Sequence, residues 1–153
     1  MALQAYSLAR DGSTALSPHF RVREFRCRDG SDPVFIDSAL VELLEQLRTH
    51  FGKPVTITSA YRTPAHNAKA GGATFSQHLY GRAADIRVPG VSVEDVAACA
   101  EHLLPGRGGV GRYPAKAGRA VTGIVHKFSS SLSPDLRCGG WPPSSVLLKW
   151  VRG

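Results

Sequence analysis

The 153-residue chain has no run approaching the ~18–20 consecutive apolar residues that cross a bilayer, so membrane insertion is not expected. Cysteine is scarce: Cys27, Cys99 and Cys138 are odd in number, far apart and without a CxxC pair. Reduced thiols in a protein made in the cytoplasm are the expectation. Acidic residues are outnumbered, 12 against 19 basic, giving a net charge of +7. That sign favours anionic partners such as nucleic acid, acidic lipid or an anionic wall polymer, without choosing among them. The opening segment MALQAYSLARDG lacks both a basic n-region and an unbroken apolar stretch, so no cleaved signal peptide is expected. Internal repeats and obvious linkers are missing as well.

What is present is ordinary globular composition, 42% hydrophobic and 20% charged, which excludes disorder as the main state. A chain of this size buries roughly 68–70% of its unfolded surface and forms one domain with a real core. Residues 1–16 are mixed and bear Gly and Ser, the composition of a loose N-terminal arm. Ser17-Pro18 can cap a short turn leading to Phe20, Val22 and Phe25, and Arg26 to Pro33 is a polar loop. The clearest helix starts at Asp37 or Ser38. It carries Leu40, Leu43, Leu44, Leu47 and Phe51 at helical spacing and stops at Gly52, with Pro54 beyond.

Val55 to Thr58 alternates and is β-branched, a strand signal. Thr63-Pro64 opens a short helix through Lys69 that Gly71-Gly72 ends. Ala83 to Val88 is a second strand. Ser92-x-x-Asp95 is a capping box for a helix with Val96, Ala97, Ala100, Leu103 and Leu104 on its apolar face, ended by Pro105. A glycine-rich turn and a strand around Val121 to Val125 follow. Gly106 to Gly111 fits GxGxxG formally. It follows a helix and runs into Tyr113-Pro114, so it is expected to be a turn and not a dinucleotide loop. The sum is an α+β domain, a small antiparallel sheet flanked by helices.

Chemistry concentrates in Ser76-Gln77-His78-Leu79-Tyr80-Gly81-Arg82-Ala83-Ala84-Asp85. An imidazole precedes a carboxylate by seven residues, with Gly81 between them to let the chain turn. His78 would leave a loop and Asp85 would lie on the strand that follows, opposite the core-facing Ala84 and Ile86, so both can address one ion. Nitrogen and oxygen donors suit zinc, and a catalytic site needs a third protein ligand while one position stays open for water. His126, closing the last apolar strand, is the candidate. His19, His50, His66 and His102 show no ligand spacing. His66 is close to Arg62 in sequence and could line the same cleft. The basic run Arg107, Arg112, Lys116 and Arg119 lacks interleaved aromatics and reads as a solvated face, so no specific nucleic-acid partner is expected.

Three stretches, Ser59-Ala60-Tyr61-Arg62-Thr63-Pro64-Ala65-His66-Asn67, Gly71-Gly72-Ala73, and Ser76 to Ile86, carry a shared pattern. Together they resemble the zinc D-alanyl-D-alanine carboxypeptidase family, which also includes L-alanyl-D-glutamate endopeptidases and the hedgehog-like fold. Gly108 to Pro114 and Thr122 to His126 continue the pattern. The resemblance implies one zinc ion held by His78, Asp85 and His126. It implies Arg62 gripping a substrate carboxylate or polarised carbonyl, with Ser76 bonding substrate or orienting a ligand. It implies a peptidase domain over residues 17–128 acting as a monomer on peptidoglycan stem peptides in the bacterial cell wall, as carboxypeptidase or murein endopeptidase. A phage or prophage lysis enzyme fits this description.

Two departures qualify the resemblance. Ala60 replaces the usual glycine. The family commonly reads His-Val-Asp where this chain reads His126-Lys127-Phe128, and the other usual acid position, three residues before the histidine, is Gly123. Asp135-Leu136-Arg137 resembles the missing ending displaced along the chain, making Asp135 the candidate general base within an atypical tail, 129–153. The alternative reading is a catalytically impaired zinc-binding homologue that binds wall peptide or a protein partner.

Overall fold

The computed structural model describes residues 3–104, 108–116 and 119–126, with side chains described up to Tyr113 and at Thr122. Among the described residues, six strands and four α-helices form two antiparallel sheets with helices against them, an α+β arrangement as expected.

The helix expected from Asp37 is α2, Ser38–Phe51. Asp37 caps it by accepting from the Ala39 N–H at 2.9 Å. Leu40, Leu43, Leu44 and Leu47 are buried, and Gly52 closes it in the left-handed region at φ 60°. Helix α3, Pro64–Lys69, is capped by Thr63, whose Oγ1 accepts from the His66 N–H at 3.2 Å. Helix α4, Val93–Leu103, has Ser92 Oγ accepting from the Asp95 N–H at 3.1 Å, with Val96, Ala97 and Ala100 buried.

The N-terminal segment departs from the expected loose arm. Strand β1, Leu3–Ser7, pairs antiparallel with β2, Pro33–Asp37, in register from Leu3↔Asp37 to Ser7↔Pro33. A single helical turn, α1, Leu8–Asp11, follows, with the Ser7 N–H donating to Asp11 Oδ2 at 2.9 Å. β1 has no buried face to produce alternation, so its partner's backbone determines its conformation. β2 places Val34 and Ile36 in the core within five residues, too short a run for periodicity to reveal. The turn expected at Ser17-Pro18 lies later, as a 3-10 turn over Val22–Phe25. Phe20, Val22 and Phe25 are all in the core.

The larger sheet comprises β3 (Thr56–Ser59), β4 (Ala83–Arg87), β5 (Gly108–Lys116) and β6 (Arg119–His126), ordered β3-β4-β6-β5 with every pair antiparallel. The glycine-rich turn expected at Gly108–Gly111 is instead the start of β5, because β6 pairs with it in unbroken register from Gly108↔His126 to Tyr113↔Val121. Pairing outweighs the low strand preference of glycine. Helix α4 packs on β5 and β6, while α2 packs on α4 and β6. Arg112 clamps the first contact: its Nε meets Glu94 at 2.8 Å and its Nη1 and Nη2 meet Glu101 at 2.7 and 3.0 Å. That arginine is therefore tied down, not part of a solvated basic face.

Cys27 and Cys99 are free thiols, and Cys138 lies outside the described residues. Among the described residues no helix is long and apolar enough to cross a membrane.

Candidate metal centre

Alternation along β4 positions the acid. Ala84 and Ile86 are fully buried in the core, so Asp85 projects from the opposite face. A β-bulge in β3 sits directly beside it. Ile57 pairs with Ile86, but Ser59, not Thr58, pairs with Asp85. The bulged Thr58 donates through Oγ1 to the Asp85 carbonyl at 3.0 Å. The extra residue makes Ser59 the cross-strand partner of Asp85, a use of bulges at site-bearing strands.

The imidazole arrives on a different device. Ser76 Oγ accepts from the His78 N–H at 3.3 Å and opens a 3-10 turn over Gln77–Tyr80. Gly81, at φ 67°, closes it. A Cβ there would lie 2.3 Å from the Phe35 carbonyl oxygen, so only glycine lets the turn settle on β2. The Asp37 N–H donates to the Gly81 carbonyl at 2.9 Å, and Asp37 Oδ2 lies 3.5 Å from Arg82 Nε. Thus the residue that caps α2 also anchors the histidine turn.

The two devices meet. His78 Nε2 is 3.7 Å from Asp85 Oδ2. His78 is buried, and its Nδ1 lies 2.6 Å from the Ala60 carbonyl oxygen. A carbonyl only accepts, so Nδ1 carries the proton and Nε2 presents its lone pair toward Asp85. Burial, reinforced by the nearby Arg62 charge, pushes the His78 pKa down to about 3, against the Ala60 hydrogen bond. Burial raises Asp85 to about 6, with Arg62 opposing. Asp85 Oδ1 is buried with no hydrogen-bond partner among the described residues.

Arg62 completes the cluster. Its Nη2 is 3.2 Å from Asp85 Oδ2 and its Nε donates to Ser59 Oγ at 3.0 Å. Its own N–H donates to the His78 carbonyl at 3.1 Å, and the preceding Tyr61 N–H donates to the Phe25 carbonyl at 3.1 Å. Farther out, Thr63 Oγ1 donates to Asp29 at 2.6 Å and the Thr63 N–H meets Cys27 Sγ at 3.4 Å. These bonds fasten the Arg62 loop to the N-terminal third of the chain.

The donor set fits zinc. Bonds of ~2.0–2.2 Å at a tetrahedral ion separate neighbouring ligand atoms by about 3.3–3.6 Å. The 3.7 Å between His78 Nε2 and Asp85 Oδ2 is close to that separation. The imidazole also gives its other N–H to a backbone carbonyl, the outer-shell arrangement that fixes a metal-binding tautomer. Among the described residues, no group of three or more His, Cys, Asp or Glu is gathered at one point. His126 is placed by its backbone only, at the last position of β6 and one residue past Val125, which pairs with Ala83 of β4. Its side chain, like Phe128 and Asp135, lies outside the described residues. The structure therefore joins Arg62, His78 and Asp85, places Ser76 behind His78, and leaves His66 half-buried on α3.

A family model for Peptidase M15 matches residues 18–116. The chain belongs to the Peptidase M15 family. No curated protein matches it. Membership makes a metallopeptidase the coarse reading. The matched span of this M15 chain includes Arg62, Ser76, His78 and Asp85 and ends before His126 and Asp135.

Sequence reasoning missed Ser59 and Asp37 as parts of this site. Ser59 stood only at the start of the Ser59–Asn67 stretch, just past the expected strand, since its role comes from the bulge. Asp37 was legible as a helix cap, but its second contact spans more than forty residues of sequence to Gly81.

Proposed function

We propose that this M15 protein is a zinc peptidase that hydrolyses peptide bonds in peptidoglycan stem peptides, as a D-Ala-D-Ala carboxypeptidase or a murein endopeptidase. The observation that supports this reading is the paired approach of His78 Nε2 and Asp85 Oδ2, with the Arg62 guanidinium on the same carboxylate. His78, Asp85 and His126 would hold one zinc ion. When bound, the metal supplies a Lewis acid and lowers the pKa of a bound water toward ~7. Arg62 would hold a substrate carboxylate or the oxygen on which charge develops, a task that suits a planar, permanently charged fork. Ser76 keeps the His78 turn in place. Asp135 would accept the proton from the attacking water. The cell wall is the proposed site of action and a monomer the proposed working form.

A second reading, binding without hydrolysis, has one observation in its favour: Phe128 stands where the resemblance places an acid. Mass spectrometry of muropeptides, incubated with zinc and wild type, His78→Ala or Asp135→Asn, separates the readings. Wild type should release shortened stem peptides, His78→Ala should lose both zinc and activity, and Asp135→Asn should keep zinc but lose activity. Equal activity in wild type and Asp135→Asn eliminates Asp135 as the base. Zinc binding with no hydrolysis by wild type favours the binding reading, and unchanged zinc content in His78→Ala defeats the metal assignment.

A further inference from the structure

Three arginines outside the candidate metal centre converge on one cavity. It has a volume of about 470 Å³ and is lined by Arg26, Arg28 and Arg48 together with His19, Glu24 and Pro54–Ile57. Arg62, Ser76, His78 and Asp85 do not line it. The volume is that of a small-molecule pocket.

The charges in this lining are unbalanced. Glu24 is the one carboxylate, and its Oε1 already accepts from the Arg21 N–H at 2.8 Å. His19 is engaged by Glu45. The Arg48 side chain, in the last turn of α2, makes no hydrogen bond or ion pair with a described residue. Arg26 uses Nη1 to reach the Arg23 carbonyl at 2.7 Å, leaving its remaining N–H groups unspent.

Arg28 decides what kind of ligand fits. Its Nε donates to the Thr58 carbonyl at 3.2 Å and its Nη2 to the Ile57 carbonyl at 2.9 Å. These carbonyls belong to β3, the edge strand of the larger sheet. The guanidinium occupies the acceptors that an added strand would need, so extended-peptide pairing there is blocked. The same two bonds fix the guanidinium plane and leave Nη1 free as a pre-set donor.

We propose that this cavity is a second, anion-binding site that takes a doubly charged phosphate group, such as the end of a phosphate monoester. Three guanidinium groups against one internally bonded carboxylate leave a local excess of two positive charges, matching a phosphate dianion better than a single carboxylate. The cavity exceeds one phosphate in volume, leaving room for the alcohol part of an ester.

The test follows the arginine side-chain N–H signals of the full chain by NMR at constant ionic strength and neutral pH. The titrants are inorganic phosphate, glycerol 1-phosphate, dimethyl phosphate and acetate. Saturable binding of inorganic phosphate and glycerol 1-phosphate is expected, with Kd below about 1 mM. The glycerol ester should bind at least as tightly as free phosphate, and dimethyl phosphate and acetate should bind about tenfold more weakly or worse. Arg48→Gln and Arg26→Gln should each weaken phosphate about tenfold, with the melting temperature unchanged in Arg48→Gln and lowered by no more than about 4 °C in Arg26→Gln, which gives up the Arg23 bond. Lys69→Gln, an exposed charge outside the cavity, should have no effect. Non-saturating shifts, acetate equal to phosphate, or an equal loss in Lys69→Gln would each overturn the proposal. None of these readouts depends on peptidase activity, so the site stands or falls separately from the proposed reaction.

Discussion

Replacing Gly81 with alanine tests whether the histidine turn is held by its contact with β2. Gly81 and Gly52 share a left-handed backbone, at φ 67° and φ 60°. An alanine in that region costs about 1–2 kcal/mol at either position. Their surroundings differ. A Cβ at Gly52 meets nothing within 4 Å, whereas one at Gly81 falls 2.3 Å from the Phe35 oxygen, 2.5 Å from its carbon and 2.9 Å from the Ile36 nitrogen. These atoms are strand backbone and cannot swing aside like a flexible side chain. Overpacking of this kind adds about 1–3 kcal/mol. Displacing the turn also breaks the Asp37 N–H to Gly81 carbonyl bond, about 1 kcal/mol. The excess loss in Gly81→Ala over Gly52→Ala is therefore about 2–4 kcal/mol, equivalent to at least about 4 °C in Tm for a domain of this size. Thermal unfolding of the two variants beside wild type, without metal, measures it. Zinc titration gives a second readout: Gly81→Ala should weaken the metal and Gly52→Ala should not. Equal losses of Tm in the two variants would refute the contact argument.

Other outcomes follow from the same geometry. Arg62→Lys keeps a charge near Asp85 but loses the fork to Ser59 Oγ; turnover of stem peptide should fall about 10²-fold while stability changes by less than about 1 kcal/mol, and a large Tm loss with activity largely retained would make Arg62 a structural ion pair. Thr63→Val removes the α3 cap and the bond to Asp29; Tm should drop by about 2–4 °C for the ~1 kcal/mol a cap contributes. Asp29, held below the usual carboxylate range first by its Thr63 hydrogen bond, should move up in the variant by ¹³C NMR, while an unmoved Asp29 would contradict the network. In metal-free protein, Asp85, raised to about 6, contributes stability that is present below about 3.8 and lost as pH rises through about 6. His78, lowered to about 3, contributes stability that is present above about 6.5 and lost as pH falls. The two oppose each other between about pH 4 and 6, so urea unfolding of wild type should vary little there, whereas His78→Gln should lose stability as pH rises across that window; a variant whose stability is flat over the same range would disprove the Asp85 shift.

The helices of this domain were legible because each carries local signals that agree: Asp37 and Gly52 bracket a leucine stripe, Thr63-Pro64 opens α3, and Ser92 caps α4. The strands were legible only where one face is buried. Ala83 to Arg87 shows its alternation, and Thr56 to Ser59 was placed one residue early because the bulge at Thr58 breaks the period. β1 and the glycine-rich half of β5 owe their conformation to partners distant in sequence, which no local pattern reports. At the candidate site, the spacing around Gly81 offered His78 and Asp85 as a pair, and only the resemblance assigned them and Arg62 to one centre. The pairing of Arg62 with Asp85, and the Ala60 carbonyl that sets the His78 tautomer, depend on three loops meeting.

On the proposed reading, the arrangement of these loops would separate metal capture from catalysis. The pair that would hold zinc is positioned by the protein itself: Ala60 fixes the His78 ring, Arg62, itself bonded to Ser59 Oγ, holds the Asp85 carboxylate, and Asp37 and Phe25 tie both loops to the N-terminal third of the chain. A site organised in advance loses less conformational entropy when the ligand arrives. Arg62 supplies positive charge beside Asp85. With a divalent cation held by His78 and Asp85, the Arg62 guanidinium would be available to substrate. The candidate base, by contrast, belongs to the chain beyond residue 116, outside the matched family span. Changes in that tail can therefore remove hydrolysis while His78, Asp85 and Arg62 keep their geometry. The reverse does not hold, because loss of the Gly81 contact or of the Ala60 hydrogen bond would move His78, the proposed metal donor, directly. Variants of the His78 turn should consequently lose zinc and activity together, and variants of Asp135 should lose activity alone.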